Sequence, residues 1–244
     1  LRGVTRAPSG ALLLFGEGSA ALLEESGAAT RVETGEPDAV WLGALADARG
    51  ILLVGERRSR PVGVVAQIPT NGAPSVRTVE GTSRLHAAAR LGADLVLVCG
   101  GHGALSVLDE GETQEIVWGR TGHLYAAAAT PDGGAYVVGS GGHALAIAPP
   151  HPSLRHVAPP ATLEAVQTTR DLCGVTVDPA GTAWAVGSQG RLLVRRGGTW
   201  SRVAAEAGTV GLIALATRSA TPGGRAREVV ALAEDGTVVE VLLA

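Results

Sequence analysis

Short apolar runs, four to eight residues long and rich in Val and Leu, recur along the chain, each closed by Gly, Asp or Pro. Runs of that length and composition read as strands, because an amphipathic helix needs a longer stretch of 3.6-residue periodicity. The runs group into one unit found six times: an apolar run, a turn, a second run ending near Gly, a short turn and a third run. The second and third runs start at Ala11, Ile51, Leu95, Ala135, Ala183 and Val229, and read for example ILLVGERRSRPVGVVAQ, LVLVCGGHGALSVLDE and AYVVGSGGHALAIAP. Aligning the units places Gly16, Gly55, Cys99, Gly139, Gly187 and Ala233 at corresponding positions, spaced by 39, 44, 40, 48 and 46 residues. Four short strands with their turns occupy roughly 40–45 residues, which is the period of a propeller blade.

The turns agree with this reading. Pro131-Asp132-Gly133-Gly134 and Asp178-Pro179-Ala180-Gly181 are reverse turns, Pro presetting φ and Gly accepting a positive φ, so two strands meet at each as a hairpin. Strand A is expected at Leu124–Ala129 and Cys173–Val177, B at Ala135–Val138 and Ala183–Val186, C at Ala144–Ala148 and Leu192–Val194, and D at Leu154–Val157 and Trp200–Ala204. The A strands are rich in small residues, LYAAAA at 124–129 and LHAAA at 85–89, which suits innermost strands crowded around a channel. The predicted fold is all-β, a six-bladed propeller of four-stranded antiparallel blades forming a single domain over 1–244. Blades are expected at about 1–36, 37–80, 81–120, 121–169, 170–208 and 209–244, the last lacking its outer strand, as in a piece of a longer protein.

The string AWAVGSQGRLLVRRGGTWSRV, from Ala183 to Val203, resembles a unit of the Asp-box (BNR) and Ycf48-like propeller repeats. Trp184, Gly187, Gly190, Gly197 and Trp200 match that pattern, while Arg196 stands where those repeats carry Asp. The resemblance is specific over about twenty residues and diffuse elsewhere. It implies a propeller and, from the habits of such families, a binding platform or assembly factor.

Composition then narrows the partners. With 20 basic and 23 acidic residues, a net charge of −3 and no like-charged run, the chain lacks the basic surplus of a nucleic-acid binder. No stretch is long and apolar enough for a membrane span, since Gly and Pro break the least charged segment, 133–154. The absence of Lys and Met beside abundant Ala, Gly and Arg is what GC-rich codons produce, in keeping with a bacterial source. Cys99 and Cys173 are expected to be two small buried hydrophobes.

In a blade ordered A to D, the B–C turns and D–A connections share one face. Those turns carry Arg57, Arg58 and Arg60, then His102, His143, Gln189 with Arg191, and Glu234 with Asp235. They differ from blade to blade above a repeating Gly framework, as a recognition surface requires. His102 and His143 sit in similar turns, CGGHGAL and SGGHALA, but no third ligand repeats there for a zinc site. No nucleophile elbow or phosphate loop is found, and Tyr125 on an inner strand lacks convergent acidic and Arg partners. The expectation is therefore a non-catalytic platform, without metal or cofactor, binding another protein or a peptide, or another domain of its own chain, through the B–C/D–A face. A channel-mouth hydrolase or lyase using His102 or His143 is the alternative. A carbohydrate binder is the third reading, with Trp41, Trp118, Trp184 and Trp200 as stacking rings, although the pattern assigns Trp184 and Trp200 to packing between blades.

Overall fold

The computed structural model describes residues 1–109, 111–151, 153, 157–203, 210–219 and 226–242. Six antiparallel sheets follow one another in strict chain order. The first contains β1 (Gly3–Arg6), β2 (Leu12–Phe15), β3 (Ala20–Leu23) and β4 (Ala29–Val32). The second contains β5 (Ala39–Asp47), β6 (Gly50–Arg57), β7 (Gly63–Pro69) and β8 (Ser75–Val79), and the third β9 (Leu85–Leu91), β10 (Leu95–Gly100), β11 (Leu105–Leu108) and β12 (Thr113–Glu115). The fourth holds β13 (Leu124–Ala129), β14 (Ala135–Gly139), β15 (Ala144–Ile147) and β16 (Ala161–Leu163), and the fifth β17 (Leu172–Val177), β18 (Ala183–Gly187), β19 (Arg191–Arg196) and β20 (Thr199–Arg202). The sixth has three strands, β21 (Leu212–Ser219), β22 (Ala226–Ala233) and β23 (Val238–Leu242). This is the six-bladed propeller, and the first strands of successive blades, β1, β5, β9, β13, β17 and β21, lie side by side in that order.

Three expectations need adjustment. The fourth strand of blade four is Ala161–Leu163, paired with Leu145–Ile147; the segment Leu154–Val157 lies mostly outside the described residues, as do Ala204 and His156. Second, the glycine that ends strand B in blade three is Gly100, not Cys99. A Cβ on Gly55, Gly100, Gly139 or Gly187 would overlap the carbonyl oxygen of Val40, Arg84, His123 or Asp171, respectively. Each glycine thus lets strand B close against the start of strand A, which a side chain would forbid. Third, Cys99 is fully buried, its thiol pushed up to about 12 by desolvation, whereas Cys173 is only partly buried and faces the central channel.

Buried apolar clusters join neighbouring blades. Leu13, Phe15, Trp41 and Leu53 join blades one and two; Val54, Val65, Leu85 and Val98 join two and three; Leu97, Leu105, Leu124 and Leu145 join three and four. Leu172, Leu193 and Trp200 join four and five, and Trp184, Val194, Val229 and Ala231 join five and six. Burying both faces of a sheet is the main source of stability in such a ring. Among the described residues no such cluster joins blade six to blade one. There Val4 and Leu12 on one face, and Leu232 and Val238 on the other, remain open to solvent.

Trp41, Trp184 and Trp200 are fully buried in these clusters. Trp118 packs against blade four and donates from Nε1 to the Gly103 carbonyl at 2.8 Å. Trp200 donates from Nε1 to Glu164 at 2.6 Å, and Glu164 also receives the Arg195 guanidinium. All four indoles are committed to packing between blades.

Candidate functional site

The site is built from a register irregularity that recurs around the ring. In blades two to six the pairing of strand A with strand B skips one residue near the start of A: Leu42, His86, Tyr125, Cys173 and Ile213. In blade one the pairing runs without a skip. A bulge leaves the extra residue off the ladder and re-aims its side chain. The preceding residues, Trp41, Leu85, Leu124, Leu172 and Leu212, are buried between blades. The skipped residues Leu42, His86, Tyr125 and Cys173 line one cavity of about 450 Å³ at the channel mouth, together with Arg84, Asp171, Ser188 and Glu234. A second cavity of about 480 Å³ shares Arg84, His86 and Tyr125 and extends over Glu56, Pro61, Ser83, His102 and His123.

The rings form a group at this mouth. His86 and Tyr125 lie 5.6 Å apart at 22°, His123 and Tyr125 6.1 Å at 14°, and His86 and His123 6.5 Å at 8°. His102 tilts against His123 at 5.2 Å, and its backbone N–H donates to His123 Nδ1 at 3.4 Å. Burial, with the Arg84 and His123 charges, pushes the His86 imidazole down to about 4, so it is neutral at pH 7. Its Nε2 is buried without a hydrogen-bond partner.

Charges at the mouth are arranged asymmetrically. Arg84 is neutralised by Glu56, donating from Nε at 2.8 Å and from Nη2 at 2.5 Å. Among the described residues Asp171 accepts only the Gly141 backbone N–H, at 2.8 Å, and Glu234 has no cationic partner. The field of these carboxylates is felt nearby: burial and then Asp171 raise the Tyr125 phenol, and burial, Asp171 and Glu234 raise the Cys173 thiol.

The residues predicted from sequence are distributed unevenly about this mouth. His102 and Glu234 line it. Arg57 is bound to Glu36, donating from Nε at 3.1 Å and Nη2 at 2.5 Å. Arg58 lies between Glu17 and Asp38, at 3.8 and 3.9 Å, and Arg60 is exposed in the turn. Gln189 is exposed, Arg191 has a buried Nε without a partner, and Asp235 accepts the Thr237 N–H at 2.9 Å.

His143 packs edge-on against Trp118 at 5.1 Å with its Nδ1 buried and unpartnered, and lines neither cavity. His102 and His143 are also not equivalent. His102, at φ 54°, occupies the place of Gly141, φ 64°, and His143 that of Ala104. Arg218 on β21 pairs with Glu228 at 3.2 Å.

Sequence reasoning did not single out Arg84, His86, His123, Asp171 or Cys173 as site residues. They lie where a D–A connection becomes strand A, within two positions of the first buried A residue. That position is the available signal, since the residue types share nothing.

No protein-family profile and no curated protein matches the chain by sequence. Solved structures do match in fold. A catalytically inactive virginiamycin B lyase from Staphylococcus aureus, solved with quinupristin, superposes with a TM-score of 0.74 at 11% identity, over 99% of this chain and 83% of that one. YCF48 bound to D1 peptide gives 0.65 at 16% identity, over 95% and 74% of the two chains. YCF48 from Cyanidioschyzon merolae gives 0.67 at 13% identity, over 97% and 80%. At such identities the likeness is one of architecture, and it makes this protein a β-propeller of the YCF48 kind in fold.

Proposed function

We propose that the protein is a non-catalytic recognition module that holds a peptide segment of a partner protein at the B–C/D–A mouth of its channel. The observation that carries this reading is the recurring bulge. At one repeated backbone position five different side chains, Leu42, His86, Tyr125, Cys173 and Ile213, are released from the ladder around the channel. An invariant frame presenting variable side chains is how a scaffold reads a sequence of side chains. The cavities are shallow and open at the surface, of a size for one or two side chains of an extended ligand. The YCF48 structure with a bound peptide supports the reading by analogy of fold.

The test is an array of tagged decapeptides of random sequence, probed with the purified protein and with a variant carrying His86→Ala, His123→Ala and Tyr125→Ala. Peptides retained by the protein and released by the variant, with thermal midpoints preserved, are the expected result. Retention of the same peptides by the variant would place binding elsewhere. The lyase likeness defines the competing outcome, conversion of a bound ligand to a product of altered mass, which mass spectrometry of the eluates detects.

A further inference from the structure

We infer that the mouth between blades three and six is a receptor for a flat organic cation, a guanidinium such as an arginine side chain of the bound peptide. This deepens the recognition reading above and rests on it.

Three features converge. The rings of His86, His123 and Tyr125 share one orientation to within 22°, with centroids 5.6–6.5 Å apart. Their aligned faces in an open cavity offer a planar group a surface on which to lie. The second feature is charge. Of these rings His86 and Tyr125 line the cavity that also holds Asp171 and Glu234, neither of them in an ion pair among the described residues, whereas the nearby cation Arg84 is already taken by Glu56. The cavity therefore holds two carboxylates in excess, Asp171 half-buried and Glu234 exposed at its rim, which attract a cation in a salt-dependent way. Third, the His86 ring at this wall stays neutral, so it presents its face without opposing a cation.

Arginine satisfies all three together. Its guanidinium is planar, stacks on aromatic faces, and carries a fork of donors matched to carboxylates. A lysine ammonium would meet the charge but offers neither a flat face to stack on the rings nor a planar fork of donors. An acidic side chain would be repelled by both carboxylates, and a neutral one would at most hydrogen-bond to them without the charge.

The chain has only two tyrosines, Tyr125 in the mouth and Tyr136 packed beneath Arg195 at 4.6 Å, which gives the experiment an internal control. The protein, with 13C-labelled tyrosine, is titrated with N-acetyl-arginine methylamide, with the isosteric neutral N-acetyl-citrulline methylamide, and with N-acetyl-lysine methylamide. Expected are saturable shifts of the Tyr125 ring with the arginine probe while Tyr136 stays in place. Affinity should be at least tenfold weaker for citrulline, intermediate for lysine, and fall as NaCl is raised. Glu234→Gln and the pair Asp171→Asn/Glu234→Gln are expected to weaken arginine binding progressively. The single variant guards against loss of the Asp171–Gly141 contact as the cause.

Equal binding of arginine and citrulline, an unchanged affinity in both variants, or parallel shifts of Tyr136 would each overturn the inference. Peptides that bind the mouth without an arginine preference would sink this inference and leave the recognition reading standing. Absence of any mouth-dependent peptide would sink both.

Discussion

The B–C turns of blades three and four look almost alike as text, CGGHGAL against SGGHALA, and differ as structures. Aligning the two histidines puts Cys99 opposite Ser140 and displaces blade three by two residues from the register that the backbone adopts. The backbone chooses otherwise. Gly100 and Gly139 take the same place because each must lie against a strand A carbonyl, of Arg84 or His123, where no Cβ fits. With that register, His102 falls at the left-handed position held by Gly141, and its ring meets His123 at the channel mouth. His143 falls two residues later, in extended backbone at φ −63°, and its ring turns to Trp118. A steric requirement on a glycine, rather than the residue with the chemistry, thus decides which histidine serves the site.

Substitutions at the glycines should separate the two alignments most strongly. Gly100→Ala and Gly139→Ala should each destabilise the protein by about 1–3 kcal/mol, the range for forcing atoms into a filled core. Gly101→Ala, whose Cβ would meet nothing nearer than His123 Nδ1 at 3.5 Å, should change stability by less than about 0.5 kcal/mol. Urea unfolding of the three variants measures the difference, and equal costs at 100 and 101 would break the comparison.

The histidines come next in size. His102→Gly relieves a non-glycine residue at φ 54° and should be neutral to stabilising by up to about 1 kcal/mol. His143→Gly has no such strain to relieve and loses the Trp118 contact, so it should cost about 1 kcal/mol by the same assay.

The buried histidine at the mouth, His86, gives a pH signature. His86 titrates near 4 in the folded protein and near 6.5 in the unfolded chain, so between these values the unfolded state binds more protons. Folding stability should accordingly fall as the pH is lowered from about 6.5 to about 4. His86→Phe should flatten that part of the profile; a slope unchanged in the variant would assign it to other groups.

Much of the fold was legible in the chain because a propeller repeats. The period, the small residues of LYAAAA, the hairpin turns and the three-stranded last sheet all follow from residue types that the geometry demands. The site was less legible for a physical reason. A bulge costs one unpaired residue and asks little of its side chain, so Leu42, His86, Tyr125, Cys173 and Ile213 leave no common mark. Of the predicted B–C turn residues, His102 and Glu234 line the cavities, while the bulged residues and those that begin strand A supply most of the wall. Blade four's outer strand was obscured by Pro159 and Pro160, which cannot donate to a ladder and stand directly before Ala161–Leu163.

The most direct test of a recognition mouth is the affinity of a selected peptide for the protein and for each bulge variant, Leu42→Ala, His86→Ala, Tyr125→Ala, Cys173→Ala and Ile213→Ala, read by calorimetry. The account predicts losses of tenfold or more at His86 and Tyr125, smaller losses at neighbouring bulge positions, and none for Arg60→Ala on the outer turn. Affinity that depends on Arg60 and ignores all five bulge residues would contradict it.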